Sequence, residues 1–266
     1  MRANTADPFN ADVIAAALDK PARFRLEIID RCESTNTLLL DAVQQGAPSG
    51  SVAVCEAQTA GRGRRGRGWL SAPADSLTFS LLWRFPPGLP APAGLSLAAG
   101  VAVARALEGL GAAGIGLKWP NDILADGAKL GGILVETVTA GGCHIAVIGI
   151  GLNLRLPRAI AEALEIRAGS LDSVMPHAPS RNLLLAALLN ALLSLLDEFE
   201  RAGFAVLADE WLARNVHAGQ LVRILAEGAA PVEGRSVGVD ADGALLLDTE
   251  AGLRRIVSGD VSLRPA

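Results

Sequence analysis

The chain has 266 residues, 50% of them hydrophobic and 20% charged, which is a globular composition with material for a sizeable core rather than a disordered one. A formal net charge of -4 and a pI near 5.5 argue against a general charge-driven nucleic-acid binder. The 3 cysteines, Cys32, Cys55 and Cys143, stand far apart, with neither a metal-ligand spacing nor an even disulfide framework, so a reducing, cytoplasmic setting is expected.

Ala11 to Leu18 reads as a helix, and Arg23 to Ile29 as a first strand in which Phe24, Leu26 and Ile28 alternate. The residues ahead of Glu33, about 30 of them, are too few for a helix-turn-helix unit with its own core. Ser34-Thr35-Asn36-Thr37 then leads into Leu38 to Gly46, a helix with capping residues in front and a glycine stop behind. One cap would suffice; several donors in a row suit a polar ligand.

Ser51 to Glu56 is a strand that enters Gln58-Thr-Ala-Gly-Arg-Gly-Arg-Arg-Gly-Arg-Gly-Trp69. Between Gly61 and Gly68, 4 arginines and 4 glycines are interleaved. Glycine weakens both helix and strand, so this is a loop expected to take shape around something. Guanidinium groups make that something an anion, and glycine lets backbone N–H groups approach it. A solvated basic loop, an Arg-Gly arm for RNA and a lid over a small-molecule phosphate all fit at this point. No Gly-Lys-Ser/Thr follows, so it is not a Walker loop.

Leu77 to Phe85 is a strand carrying Thr78 and Ser80 among apolar residues; Leu95 to Leu110 is a helix and Gly114 to Lys118 a short strand. Lys118-Trp-Pro-Asn-Asp122 gathers an ammonium, an amide and a carboxylate where that strand ends. Asp126-Gly127 is a hairpin turn, and Lys129-Leu-Gly-Gly-Ile-Leu-Val-Glu136 leaves it as a strand whose glycines mark a bulge or a close approach. His144 to Leu154 pairs beside it. Gly149, Gly151 and Asn153 share one face there, an invitation to a ligand or simply a turn before Pro157. Cys143-His144 reads as two strand neighbours on opposite faces rather than a nucleophile and its base.

Ile160 to Leu164, Arg181 to Ala202 and Phe204 to Arg214 read as helices. The apolar run Leu183 to Leu196 is too short to span a bilayer and suits a buried helix. After His217 come short strands at Leu221 to Leu225, Ser236 to Val239, Ala244 to Asp248 and Leu253 to Val257, with a hairpin at Asp242-Gly243. They suggest a small barrel appended to the main domain.

Five motifs now stand in order: Glu33-Ser-Thr-Asn36, Gln58 to Trp69, Lys118 to Asp122, Lys129 to Glu136 and Gly149-Ile-Gly-Leu-Asn153. Together they closely resemble biotin protein ligase, over roughly residues 25 to 266. The resemblance implies an α+β fold: a class II synthetase-like domain over residues 1–216, with a mixed central sheet and flanking helices, and an SH3-like β-barrel over residues 217–266. It implies an ATP- and Mg2+-dependent ligase that makes biotinyl-5′-AMP and passes biotin to a lysine of the biotin carboxyl carrier protein. Ser34, Thr35, Asn36 and Gln58 would hold the ureido head, with Gly61, Arg62, Gly63 and Arg64 folding over biotin and its adenylate above Gly149 and Gly151. Arg67, Trp69, Lys118, Asn121 and Asn153 would meet the nucleotide. Lys129 would meet the biotin carboxylate and the reacting phosphate, and Asp122 would hold magnesium or orient the incoming lysine. Lipoate and octanoate ligases share the chemistry and stand as the rival, with an RNA-binding module as a rival of another class. Some family members carry an N-terminal DNA-binding domain; none is visible here, so a ligase without sequence-specific DNA binding or a membrane partner is expected. Family members occur as monomers and as homodimers, and the sequence does not choose between them.

Overall fold

The computed structural model describes residues 8–156, 168–175, 177, 179–226, 230–257 and 261–265. The expected helix at Ile160 to Leu164 lies outside them. The main sheet has 7 strands: β1 (Arg25–Cys32), β2 (Ser51–Gln58), β3 (Ser76–Arg84), β4 (Ile115–Lys118), β5 (Asp122–Ala125), β6 (Ala128–Ala140) and β7 (Cys143–Asn153). They lie in the order β1-β2-β3-β7-β6-β5-β4. Only β1 and β2 pair in parallel; every other pair is antiparallel, giving the expected mixed sheet.

Strand alternation sorts the side chains between two faces. Val52, Val54, Leu77, Phe79, Leu81, Ile148 and Ile150 face a large core shared with α1 (Ala11–Ala16), α3 (Leu95–Gly109) and a long helix, Arg181–Ala202. On the other face Ala53, Leu82, Ile145 and Val147 meet Leu39 and Val43 of α2 (Thr35–Gln44). Further along that second face the apolar residues give way to Thr78, Ser80, Gly149 and Gly151, and this is where the site lies.

α2 starts at Thr35, earlier than the capping residues suggest. Ser34 is its N-cap but makes no side-chain capping bond, and Thr35 and Asn36 are buried in the first turn. The turn between β5 and β6 is the expected hairpin, with Asp126 and Gly127 at φ 46° and 74°. Beyond it the register shifts: Leu124 faces Lys129 and Ile123 faces Gly131, so Leu130 is an extra residue, a bulge.

A short helix, α4 (Leu171–Val174), precedes α5 (Arg181–Ala202), and α6 (Ala208–Ala213) follows a 3-10 turn. With 22 residues, α5 is long and apolar enough to cross a bilayer, so the length argument against a membrane does not hold. Its packing supplies a better one, since Leu184, Leu185, Leu188, Leu192 and Leu196 all lie in the core. At its start the buried Arg181 makes two bonds to Glu56, at 2.7 and 2.9 Å.

The last strands, β8 (Leu221–Ala226), β9 (Val232–Val239), β10 (Leu245–Thr249), β11 (Gly252–Ile256) and β12 (Val261–Pro265), form a second sheet, antiparallel throughout, in the order β11-β10-β9-β8-β12. Among the described residues the expected small SH3-like barrel takes the form of this sheet, with no closing strand pair. Among the described residues β11 pairs only with β10 and β12 only with β8, so the two edges never join. Val222, Ile224, Val239, Leu245 and Leu247 continue the main core. The indole N–H of Trp119 donates across the junction to Gly243 O at 3.0 Å.

Candidate active site

The buried end of the site is a chain of hydrogen bonds whose direction is set by chemistry. Glu136, on β6, can only accept. Asn36 must therefore turn its amide nitrogen toward it, donating to Glu136 Oε2 at 2.9 Å and to Leu134 O at 3.2 Å. That leaves Asn36 Oδ1 to accept from the fully buried Ser80 hydroxyl at 2.6 Å. Ser80 Oγ also lies 2.7 Å from Thr35 Oγ1, and since its one proton is committed to Asn36, here it accepts. The Thr35 N–H donates to Gln58 Oε1 at 2.8 Å, which turns the Gln58 amide nitrogen toward Gly61. Ser34, Thr35 and Asn36 are all buried at this end. Ser80 and Glu136 are partners that the sequence reading did not single out; the signal for Ser80 was a hydroxyl on a strand of otherwise apolar residues.

Two glycines of β7 are there for space. A Cβ on Gly149 would sit 2.1 Å from Asn36 Oδ1, and one on Gly151 would sit 2.4 Å from the Trp69 ring. Gly132 pairs with Gly151 across the ladder, and its Cβ would meet the same indole at 3.8 Å. The Trp69 ring thus lies close enough to the sheet to need Gly151, while a side chain at Gly132 would only touch it. Its N–H is buried without a partner among the described residues.

The Arg-Gly loop, expected to take shape around an anion, is a small closed hairpin: Trp69 N donates to Gly61 O at 2.8 Å, Gly63 N to Arg67 O at 2.8 Å, and Arg62 bridges Gly68. Arg65 and Gly66 turn it, at φ 61° and 68°. Arg62 reaches inward to Glu136 with two bonds, at 2.7 and 3.1 Å, and to Thr37 Oγ1 at 3.3 Å. Arg64 donates to Asn121 Oδ1 at 3.3 Å, whereas Arg67 is exposed.

The cationic end sits where β4, β5 and β6 meet. Lys129 Nζ lies 2.5 Å from Asp122 Oδ1, and Lys118 Nζ 3.7 Å from Asp122 Oδ2. Lys129 and Gly132 are three residues apart and would face opposite ways on a regular strand. The bulge at Leu130 resets the alternation, and a Cβ on Gly132 would meet Lys129 Nζ at 3.8 Å. Asn121 Nδ2 donates to Ile133 O at 2.9 Å. Asn153 Nδ2 donates to Gly169 O at 3.1 Å, closing the strand end. Among the described residues no three His, Cys, Asp or Glu side chains gather as a metal site.

No thiol is poised to react. The Cys32 thiol is pushed up to about 12 by burial and by the neighbouring Cys55 thiol, so it stays protonated at neutral pH. Cys143 and His144 begin β7, with His144 Nδ1 3.4 Å from Thr139 Oγ1. The arrangement therefore offers a polar pocket, a ring-and-arginine cover and a cationic end, with no covalent nucleophile in evidence.

Comparison with known proteins gives this geometry a context. The biotin/lipoate A/B protein ligase family model matches residues 28–153, and the biotin protein ligase C-terminal domain model matches residues 217–264. The bifunctional ligase/repressor BirA of Escherichia coli is 36% identical over 258 residues, covering 97% of this chain and 78% of that protein. The biotin–[acetyl-CoA-carboxylase] ligase of Mycobacterium tuberculosis is 36% identical over 243 residues, covering 89% and 88%. Among solved structures, the biotin protein ligase of Aquifex aeolicus in complex with biotin and ATP superposes with a TM-score of 0.77 at 30% identity, covering 91% of this chain and 99% of that one.

Proposed function

The chain belongs to the biotin/lipoate A/B protein ligase family, and from that membership and the pocket we infer an ATP-dependent biotin ligase. Biotin and ATP are its substrates. A biotin carboxylate oxygen attacks the α-phosphorus, the bond to the bridging oxygen breaks, and pyrophosphate leaves. The amine of a carrier-protein lysine then attacks the acyl carbon of biotinyl-5′-AMP, and AMP leaves with the electron pair of the C–O bond. The biotin carrier of acetyl-CoA carboxylase is the acceptor that the relatives' names imply.

The observation that carries this reading is the convergence of all five motifs on one face of the main sheet, beside a pocket that is polar at its buried end. A cyclic urea has two N–H donors and one carbonyl acceptor, and Asn36, Thr35, Ser34 and Gln58 supply matching groups. The dithiolane of lipoate has neither N–H donors nor a carbonyl, so it could make none of these bonds. Arg62 and Arg64 turn toward Glu136 and Asn121 rather than standing free for RNA.

In this reading Lys129 and Lys118 neutralise charge as carboxylate and α-phosphate approach, and Arg64 and Trp69 cover the adenylate. Arg67 and Asn153 line the nucleotide side. Because Asp122 already holds two ammonium groups, magnesium would arrive on the triphosphate oxygens. We place the catalytic unit at residues 1–216 and the small sheet at 217–266. The enzyme works in the cytoplasm in this reading.

Purified protein with ATP, magnesium and a carrier domain should consume biotin, release pyrophosphate and label the carrier. Transfer of lipoate alone would overturn the specificity, and tight, salt-sensitive RNA binding without adenylation would overturn the enzyme.

A further inference from the structure

We propose that Glu136 is the positioning residue that latches the Arg-Gly lid to the biotin-reading amide. The proposal rests on the ligase reading and adds a role for a residue that touches neither substrate in it. Glu136 stands on β6 opposite Val147, at the border between the apolar half of the sheet face and the polar pocket. One of its oxygens, Oε1, accepts from Arg62 NH2 at 2.7 Å. The other, Oε2, accepts from both Arg62 NH1 at 3.1 Å and Asn36 Nδ2 at 2.9 Å.

A single carboxylate therefore does two things at once. It receives the lid's first arginine as a planar fork, which fixes direction as well as distance. With the Leu134 carbonyl it also fixes which way the Asn36 amide points, because acceptors on that side disfavour the alternative rotamer. Asn36 in turn sets the Ser80 and Thr35 hydroxyls, so the orientation of that part of the donor and acceptor pattern starts at Glu136. A closed lid and a correctly read ureido head are thereby coupled.

The coupling predicts a particular failure. In Glu136→Gln the new amide offers either an oxygen or an N–H to Asn36, so the choice of Asn36 rotamer rests on the Leu134 carbonyl alone and is weakened, and the fork to Arg62 is lost. The lid should open more often and the pocket should read biotin less well, while Lys129 and Lys118 remain in place. Removing one half-exposed bidentate pair typically shifts an equilibrium by a few-fold, about 3- to 10-fold here.

The test compares wild type, Glu136→Gln and Arg62→Lys, each checked for a parental far-UV spectrum. Without substrates, trypsin should cut between Arg62 and Arg67 faster in both variants. With biotin and ATP, both should release biotinyl-adenylate sooner than wild type. Glu136→Gln should also raise the KM for biotin with little loss of kcat, whereas Arg62→Lys, which leaves the Glu136–Asn36 bond intact, should raise it less. Wild-type tryptic and release rates in Glu136→Gln would overturn the latch. If that variant does not fold, the same wild-type rates in Arg62→Lys would do so. Equal KM values in the two variants would overturn the link to Asn36. Absence of biotin-dependent pyrophosphate release by wild type would instead sink the ligase reading, and the tryptic comparison would still judge the latch.

Discussion

Lys129 and Arg64 both carry a positive charge to the same reaction, but they are held by different means. Lys129 leaves a tight turn, is re-aimed by the bulge at Leu130 and is fixed by Asp122 at 2.5 Å before any substrate arrives. Arg64 sits on a glycine-rich hairpin and reaches Asn121 at 3.3 Å. Removing Lys129 leaves the charge that develops between carboxylate and phosphate uncompensated, so Lys129→Ala should slow pyrophosphate release by about 10²–10³. Arg64→Gly should still form adenylate but let it escape, and the activated ester should then label bystander lysines. Incubation with biotin, ATP and serum albumin separates the two. An Arg64→Gly protein that releases pyrophosphate no faster than Lys129→Ala and leaves albumin unlabelled would show that lid and strand do not divide the work.

At the scale of elements, what could be read in the chain was what local chemistry decides. Asp126-Gly127 demanded a turn with two positive φ values, and Gly131-Gly132 demanded a bulge or a close contact; both bulge and contact are present. Ser34 to Thr37 misled, because four good capping residues look alike in sequence. Only the buried Ser80 and Glu136 across the sheet explain why Thr35 and Asn36 belong inside the helix rather than ahead of it. The Arg-Gly loop was legible as a lid but not as a hairpin, since its bonds are between backbone atoms that no residue type announces. The final strand, with Ser262, Arg264 and Pro265, has too weak a pattern to stand out.

The segment after α6 adds a pH dependence to this picture. It runs beside β4, with Leu117 N donating to Arg214 O at 2.7 Å and Val216 N to Leu117 O at 3.0 Å. His217 is thereby buried, and burial first, then the Lys118 ammonium, lowers its pKa. A histidine whose pKa is depressed on folding binds its proton more readily when unfolded. Stability is then complete above the unfolded value, about 6.5, and is lost as pH falls from there toward the lower folded value. Melting temperatures at pH 7.5 and 5.5 should fall further in the parent protein than in His217→Asn. An equal fall in both would remove His217 as the cause.

Over the whole molecule, the two sheets share one core and are tied by the bond from Trp119 of the Lys118 to Asp122 motif to Gly243. A Cβ on Gly243 would meet Leu97 at 2.6 Å and Gly94 at 2.8 Å, so the small sheet sits hard against the helix that backs the active site. The junction thus supports the strand that carries Lys118.

The same distribution of aromatic residues has an optical side. The chain has 4 tryptophans and no tyrosine. Trp83, Trp119 and Trp211 are 1–3% exposed in the core, and only Trp69, over Gly132 and Gly151, is within easier reach of solvent. Emission excited at the indole band therefore divides into a shielded fraction and one accessible fluorophore placed on the adenylate side of the site. Acrylamide should quench a minor part of the fluorescence in the free protein, and biotin with ATP should suppress that part. Trp69→Phe should abolish the accessible component in both states, and its survival in that variant would assign the signal elsewhere. The protein thus carries its own unlabelled gauge of lid closure, readable in a stopped-flow cell during turnover.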